Sequence, residues 1–545
     1  MAKYLNLSIS LETNSVISFA AKSLGIDIES GLEQFHAALG QQLAQARSTL
    51  ARTRNRLLSP ISRLPEDLLS EIFMKAIFTH TDPPKDDSDV DISPMEYSVI
   101  TVHRTLHSLL GVCSLWKNFI LVRGIFWSVV PLFYSPSISM RCTQALGLGI
   151  ARAGTGNLHL AASYSTTGDT IDLDILADHA SRFSTCNIFA HSTPAIRSVM
   201  KKFLAPDSTK ALALSQLSVR VKCHPHRRRY PSDLDYVFPQ DSSEQNLFEK
   251  LAANLSVLRI RNFDIHWSKI VFSQRLTELH LQGIWCYEST VIDLLGALSV
   301  TKLRSLKFIS VRTVPDDTPI ARDEQIKRTV SLPSLQSLFI EDLFCETLKV
   351  ILSSITSRSH KLSLFLTPKC QFPGDYSEDA VYKLLRHIPV SICSIDGHED
   401  GRWLSIPLLK KLLESMSTLE TLKINAWKFD RHYCEALTLH PESQSTSQTS
   451  SFPSLKTLCF TRVIIDDEEA FKNMLASHSG SLQRMVLGGF VCHGFDPEAG
   501  DILDLHTLEA GGPFVNWISS HVQNLELIGP TCSSPEFQEH SWHLW

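Results

Sequence analysis

Apolar residues recur every three or four positions over residues 29–58, a spacing that predicts one amphipathic helix. The apolar stripe consists of Leu32, Phe35, Leu39, Leu43, Ala46 and Leu50. Its basic end contains Arg47, Arg52, Arg54 and Arg56, and cations favour the C-terminal end of a helix. The helix either forms a coiled coil with a second chain or packs on the domain that follows. Gly31 and Gly40 weaken the coiled-coil alternative.

Residues 1–28 lack this helical periodicity, and we expect a loose N-terminus there. Four residues near its start do alternate with polar neighbours, as they would in a strand. They are Leu5, Leu7, Ile9 and Leu11.

Two further apolar blocks lie within residues 59–131, separated by a polar insert over 79–106. The first block repeats at helical spacing through Leu64, Leu68, Leu69, Ile72, Phe73 and Ile77. Pro65 suits a first helical turn, and Glu66 and Asp67 suit the positive end of a helix. The second block contains Val112, Cys113, Trp116, Phe119 and Ile120, followed by Phe126 and Trp127. Such short helices cannot bury this much apolar surface among themselves, so some of it should face another part of the chain or another protein.

Beyond residue 132 an apolar-x-x-apolar-x-apolar pattern, called here the leucine motif, recurs along the chain. Its copies begin at Leu255, Leu276, Leu303, Leu335, Leu419, Leu455, Leu482 and Val522. Weaker copies lie at 362–366 and 392–395, in a gap with room for three units, and another lies near Leu505. Helical patterns separate the copies at 290–298, 346–355, 380–387, 408–416 and 468–477. The stretch before Leu255 suggests strands near 158–160 and 214–221 and helices over 171–183 and 194–204.

Leucine-rich repeats have this motif and a period of about 20–29 residues, because stacked strand–helix units share one continuous core. We therefore predict an irregular leucine-rich-repeat-like α/β solenoid over 132–545. The complete fold class is α/β, with an N-terminal helix and a small helical domain before the solenoid. The alternative is an ordinary α/β domain whose leucine spacing is coincidental.

The helical blocks resemble a known family. The order Leu-Pro-x-x-Leu-Leu-x-x-Ile-Phe (64–73), Val-Cys-x-x-Trp (112–116) and Phe-Trp (126–127) resembles the F-box. It is most similar to F-box-like domains of mushroom-forming fungi, which carry a longer insert. Family members are substrate receptors of SCF-type cullin–RING ubiquitin ligases. Their F-box binds the Skp adaptor, and through it cullin, while a C-terminal domain holds the substrate.

This resemblance implies an F-box-like domain over 59–131 and a set of adaptor-binding positions. They are Leu64, Pro65, Leu68, Leu69, Ile72, Val112, Cys113, Trp116 and Trp127. Leu69 and Trp116 would be the large apolar anchors of the interface. Ubiquitin transfer would be performed by partner subunits, so the chain itself should not be an enzyme.

Composition narrows the function classes. The chain has 545 residues, too many for one core, and its net charge of −5 argues against a chain-wide nucleic-acid surface. Twelve scattered cysteines and no secretory leader favour reduced thiols in the cytoplasm or nucleus. No apolar run of about 18 residues predicts a membrane span.

Candidate chemistry is sparse. Cys223, His224 and His226 are too few for a tetrahedral zinc site, and the aspartates within 79–98 lack the glycine and terminal glutamate of a calcium loop. Arg227–Arg229 could be a solvated loop, a localisation signal or a phosphate contact. The polar run 441–451 suggests a surface insertion. No nucleotide-binding, hydrolase or metalloprotease motif occurs, so we predict no catalytic residue, cofactor or metal.

Four functions remain open at this point. The first is an SCF substrate receptor with an unknown protein substrate. The second is a repeat-type interaction scaffold whose F-box is vestigial or independent of the adaptor. An enzyme on an α/β domain and a nucleic-acid binder using Arg227–Arg229 are less favoured, because no convergent site or extended basic surface supports them.

Overall fold

The computed structural model describes residues 2–58, 60–78, 94–134, 139–164, 174–204, 213–222, 236–316, 329–356, 360–370, 381–397, 403–439, 452–492 and 505–532. The protein is mixed α/β with a large, mostly parallel sheet. It divides into two compact units. The smaller comprises Met1–Thr81 and Ile100–Phe126, and the larger comprises Asp82–Val99 and Trp127–Trp545.

The smaller unit is helical. Its segments include the helices Ala2–Leu58, Glu66–Phe78 and Ser114–Val122 and the 3-10 turn Pro60–Arg63. The helix Pro94–Val112 and the 3-10 turn Gly124–Trp127 each continue across the unit boundaries in sequence. The expected loose terminus over 1–28 is wrong, because the first helix begins at Ala2. The insert over 79–106 is also corrected, since its second part is helical from Pro94; residues 79–93 lie outside the described residues.

The middle of the first helix packs on no other part of the described chain. Every residue over 22–51 is exposed. Its described contact with the rest of the unit is at its C-terminal end, where Arg63 Nη2 donates a hydrogen bond to the Leu57 carbonyl oxygen at 2.8 Å. This end contact satisfies one of the carbonyls that a helix terminus leaves open.

The larger unit is built on parallel strands that follow one another in chain order. The strands are β1 (Val129–Tyr134), β2 (Leu158–Tyr164), β3 (Phe183–Ala190), β4 (Gln216–Val221), β5 (Val257–Arg261), β6 (Glu278–Gln282), β7 (Trp285–Tyr287), β8 (Ser305–Ile309), β9 (Arg312–Val314), β10 (Ser337–Glu341), β11 (Lys361–Leu366), β12 (Val390–Asp396), β13 (Thr421–Asn425), β14 (Lys428–Phe429), β15 (Thr457–Ile465), β16 (Arg484–Cys492), β17 (Leu505–Thr507) and β18 (Asn524–Leu527). Among the described residues sixteen strands form one sheet, and β7 and β9 form a second. Only the β16–β17 pair is described as antiparallel.

Each copy of the leucine motif lies on a strand of this sheet, as the spacing predicts. The weaker copies at 362–366 and 392–395 are β11 and β12. The copy near Leu505 differs, because β17 is exposed and antiparallel. The predicted strands near 158–160 and 214–221 are β2 and β4.

The motif leucines form a ladder across the sheet. Leu258 of β5 pairs in register with Leu279 of β6, and Leu279 pairs with Leu306 of β8. The row continues through Leu338 to Leu362, and all five side chains are at most 1% exposed. Stacking one leucine on the next across adjacent parallel strands makes the core continuous along the sheet.

Helices connect the strands because parallel neighbours require crossover connections. They are Ser139–Arg152, Asp174–Asp178, Thr193–Phe203, Ser243–Ala252, Glu288–Leu298, Cys345–Ser354, Ile406–Glu414, Arg431–Leu437, Glu468–Ser477 and Pro513–His521. The predicted helices over 194–204, 290–298, 346–355, 408–416 and 468–477 match within two residues at each end. Residues 381–385 are helical within the predicted 380–387. The predicted helix over 171–183 is wrong at its C-terminal end, since β3 begins at Phe183.

Several strands end on a residue in the left-handed backbone region. The residues following β5, β6, β8, β10 and β13 are Asn262, Gly283, Ser310, Asp342 and Ala426, with φ between 48° and 64°. Each donates its backbone N–H to a carbonyl oxygen of the next strand along the sheet, as Ser310 does to Glu341 at 2.9 Å. These repeated turns bend the chain away from the sheet at the same level and keep neighbouring units aligned.

Candidate protein-interaction surface

An aromatic cluster joins the two apolar blocks of the smaller unit. Phe73, 1% exposed, contacts Trp116 edge-on with ring centroids 4.7 Å apart. Phe119 and Phe126 lie 5.7 Å and 6.3 Å from the same ring. Trp116 and Phe119 both meet Phe73 in edge-to-face geometry, and such pairs contribute about 0.5–1.5 kcal/mol each beyond their burial. The helices Glu66–Phe78 and Ser114–Val122 are therefore direct neighbours.

The sequence around Pro65 fixes where the first of these helices starts. The Pro65 carbonyl accepts the Leu69 N–H at 3.1 Å, and the acidic Glu66 and Asp67 occupy the first turn. Glu66 pairs with Arg123 at 2.6 Å, and the Arg123 guanidinium lies 4.3 Å from the Phe119 ring centroid. The Glu66 side chain is 74% exposed, so this ion pair contributes little beyond orientation.

The helix Glu66–Phe78 has a buried face and an exposed apolar edge. Leu69, Phe73 and Ile77 are buried, whereas Leu68 is 47% and Ile72 is 43% exposed. Leu68 and Ile72 are one turn apart and so lie on the same side of the helix. Leu64 is half-buried and Pro65 is exposed just before them.

The second apolar block also has large apolar side chains that are exposed to solvent. Val112 is 57%, Leu115 50% and Val122 83% exposed. Leu115 and Val122 are two turns apart on one side of the helix Ser114–Val122. We did not predict these two residues from the sequence, although their seven-residue spacing signals a shared helix face.

Cys113 lies between the helices Pro94–Val112 and Ser114–Val122. It is the N-terminal flanking residue of Ser114–Val122, with an extended backbone at φ −161° and ψ 165°. Its carbonyl accepts the Lys117 N–H at 3.0 Å, and its side chain is half-buried. Trp116 is also half-buried, with one edge against Phe73.

Two of the predicted adaptor-binding residues are interior. Leu69 is 3% exposed and Trp127 is 4% exposed. Trp127 belongs to the larger unit, where the Arg152 guanidinium lies 4.2 Å from its ring centroid. Leu69 and Trp127 are therefore core residues in this conformation and are not part of the accessible surface. The smaller unit ends at Phe126, whereas the predicted F-box-like domain extends to residue 131. The candidate surface, called here the apolar edge, consists of Leu64, Pro65, Leu68, Ile72, Val112 and Leu115, with Cys113 and Trp116 partly accessible.

The described residues show little reactive chemistry. Within them, no three His, Cys, Asp or Glu side chains are grouped to hold a metal ion. The ten described cysteines are free of disulfides, and burial raises the pKa of Cys370, Cys393 and Cys434 to about 12. These thiols stay protonated near neutral pH and are poor nucleophiles. Cys223, His224, His226 and Arg227–Arg229 lie outside the described residues, as do 441–451.

Among the described helices, none combines the length and apolar character needed to cross a bilayer. No protein family model matches the chain, and no curated protein matches it significantly. Function must therefore be argued from the residues and their geometry.

Proposed function

We propose that the protein is the substrate receptor of an SCF-type cullin–RING ubiquitin ligase. The smaller unit is then an F-box-like domain that binds a Skp-type adaptor, and the larger unit is an irregular leucine-rich-repeat-like solenoid that binds a protein substrate. The observation that carries this proposal is the apolar edge. Large apolar side chains remain exposed at Leu68, Ile72 and Val112, three positions that the F-box resemblance assigns to the adaptor.

The free energy of burying the apolar edge favours binding of a protein partner there. Fully burying a leucine, isoleucine or valine side chain stabilises a complex by about 1.5–3 kcal/mol. Leu68, Ile72, Val112 and Leu115 are each between 43% and 57% exposed, so their burial offers several kcal/mol of binding free energy. The aromatic cluster behind them keeps both helices in place without the partner.

The larger unit supports the substrate-binding half of the proposal. Its strands follow chain order and share one leucine ladder, the arrangement by which repeat proteins create extended binding surfaces. In this proposal the chain performs no chemistry itself. The cytoplasm or nucleus is the corresponding location.

The decisive experiment changes the apolar edge in the full chain. We expect Leu68→Lys with Ile72→Lys to abolish capture of the purified Skp adaptor, because two charges would be buried at the interface. Leu64→Ala with Pro65→Ala should also abolish it. The matched control is Val271→Lys with Val300→Lys, two residues of the larger unit that are 69% and 60% exposed.

Circular dichroism of each variant verifies that the fold is retained. Full adaptor binding by the Leu68/Ile72 variant would refute the proposed surface. If the unaltered chain does not bind the adaptor, the interaction scaffold replaces the receptor as the better function.

A further inference from the structure

The first helix carries an apolar stripe that the described chain does not cover. Six of its residues are more than half exposed: Leu32 (55%), Phe35 (62%), Leu39 (53%), Leu43 (53%), Leu50 (75%) and Leu57 (59%). At 100° per residue they fall within one band of the helix surface, together with Ala46. The stripe runs from Leu32 to Leu57 in steps of three, four or seven residues, and its length is close to the three to four heptads typical of a coiled-coil seam.

Charges beside the stripe specify what covers it. Glu29 and Glu33 flank the N-terminal part of the stripe, and Arg47 and Arg54 flank its C-terminal part. All four lie along the same edge of the stripe, at helical angles within about 60° of each other. If a second copy of the helix runs antiparallel, the charged edge of one helix faces the charged edge of the other in the opposite direction. Each glutamate then approaches an arginine of the other copy.

A parallel copy would not use these charges. Parallel helices related by a two-fold axis along the coiled coil place one edge of the stripe against the opposite edge. Between residues 31 and 49 the positions on that edge are uncharged, namely Gly31, Ala38, Gln42 and Thr49. The charges beyond them, Asp27 and Arg56, would approach Glu29 and Arg54 of like sign. The two glutamates and two arginines would then have no opposite charge across the seam.

The residues of the stripe also fit together when two copies of the helix run antiparallel. A two-fold axis between residues 40 and 41 places Leu39 opposite Leu43, Phe35 opposite Ala46 and Leu32 opposite Leu50. A large aromatic ring then faces a small alanine, which is how facing core layers interdigitate. Gly40 is level with this axis but lies on the charged edge of the stripe, where an added Cβ would meet no atom of the described chain within 4 Å.

We propose that residues 24–57 pair with the same segment of a second copy of this chain as an antiparallel coiled coil, making the protein a two-fold dimer. A stable interface needs about 20–30 residues from each partner, which this segment supplies. The two helices then form a rod about 50 Å long, with the C-terminal ends of the paired segments at opposite ends of it, because a helix rises about 1.5 Å per residue. This inference does not depend on adaptor binding.

The first test measures the mass of the full chain by light scattering and sedimentation equilibrium at micromolar concentration. We expect a dimer, and a monomer when Leu39→Glu is combined with Leu43→Glu. The matched control is Ser30→Glu with Ser48→Glu, on the opposite side of the same helix, which should remain dimeric. A monomeric unaltered chain, or a dimeric Leu39/Leu43 variant, would overturn the proposal.

The second test determines the direction of pairing. Glu33→Arg and Arg47→Glu should each weaken dimerisation by about tenfold, because each creates two like-charge contacts across the seam. The double variant reverses both charges and should recover the original dissociation constant. A parallel dimer predicts no recovery, so failure of the double variant would exclude the antiparallel arrangement even if the chain is dimeric. Adaptor capture measured on the same variants should be unaffected, which separates this result from the proposed function.

Discussion

His360 is buried, at 4% exposure, and within the described part of the chain neither of its ring nitrogens has a hydrogen-bond partner. Desolvation lowers the pKa of this imidazole below its ordinary value of 6.5. The unfolded chain therefore binds a proton at His360 more readily than the folded chain. Stability from this residue is complete above about pH 6.5 and is lost as the pH falls towards the lower folded pKa.

We predict that His360→Phe stabilises the fold and reduces its acid sensitivity. Phenylalanine keeps a ring of similar volume at this position and removes two buried polar nitrogens. We therefore expect the free energy of unfolding to increase by about 1 kcal/mol. Urea unfolding at pH 7 and pH 5 measures this, with the exposed His387→Phe as the control. Equal pH dependence in the variant and the unaltered chain would contradict the prediction. Burial also lowers the pKa of His103, His159 and His478, so part of the acid sensitivity should remain.

Single residues also show how far the sequence could predict the candidate surface. Helical periodicity selects both Leu68 and Leu69, but only their packing partners decide which one is buried. On the buried face of this helix, the rings that contact Phe73 belong to Trp116, Phe119 and Phe126, more than forty positions away in sequence. Neither local spacing nor family resemblance contains such long-range contacts, so neither could show that Leu69 and Trp127 are buried.

At the scale of elements, the residues that follow the strands with a left-handed backbone conformation determine how much conformational free energy each turn costs. Ala426 adopts φ 51° despite its Cβ, a conformation that costs about 1–2 kcal/mol for a residue other than glycine. We expect Ala426→Gly to increase the free energy of unfolding by up to about 1 kcal/mol, after the entropy gained by the unfolded chain is subtracted.

Gly283→Ala at the equivalent turn is the opposite case. Its φ is +62°, and an added Cβ would lie 2.1 Å from the Asn262 Oδ1 atom. We expect this variant to be less stable by about 1–3 kcal/mol, measured by urea unfolding alongside Ala426→Gly. Equal stability of the two variants would show that these turns are not under backbone strain.

The same turns explain why the sequence predicts the presence of each strand more easily than the residue at which the strand ends. Leucine spacing identifies a strand because one face of every unit must contribute to the same core. The turn residues are Asn262, Gly283, Ser310, Asp342 and Ala426, which share a backbone conformation and no side-chain chemistry. Their common feature is a hydrogen bond to the neighbouring strand, which appears only after the units are stacked.

At the scale of the molecule, the first helix should be dispensable for folding of the rest. All of residues 22–51 are exposed, and the Arg63–Leu57 hydrogen bond is a contact at the end of the helix. We predict that a chain starting at Pro60 retains the unfolding midpoint of the full chain, measured by near-UV circular dichroism. It should also be monomeric. A large drop in the midpoint would show that the helix contributes to the core.

The two outer strands of the large sheet have a consequence for the protein in crowded solution. At one end β1 contains Pro131, which has no backbone N–H, and proline is tolerated only at such borders. At the other end β17 and β18 each occupy part of β16, one antiparallel and one parallel. Neither border offers an incoming strand an uninterrupted row of donors and acceptors. A sheet of sixteen strands with open edges could otherwise pair with the sheet of another molecule and form fibres. The interrupted edges at β1 and at β17 and β18 oppose this edge-to-edge aggregation.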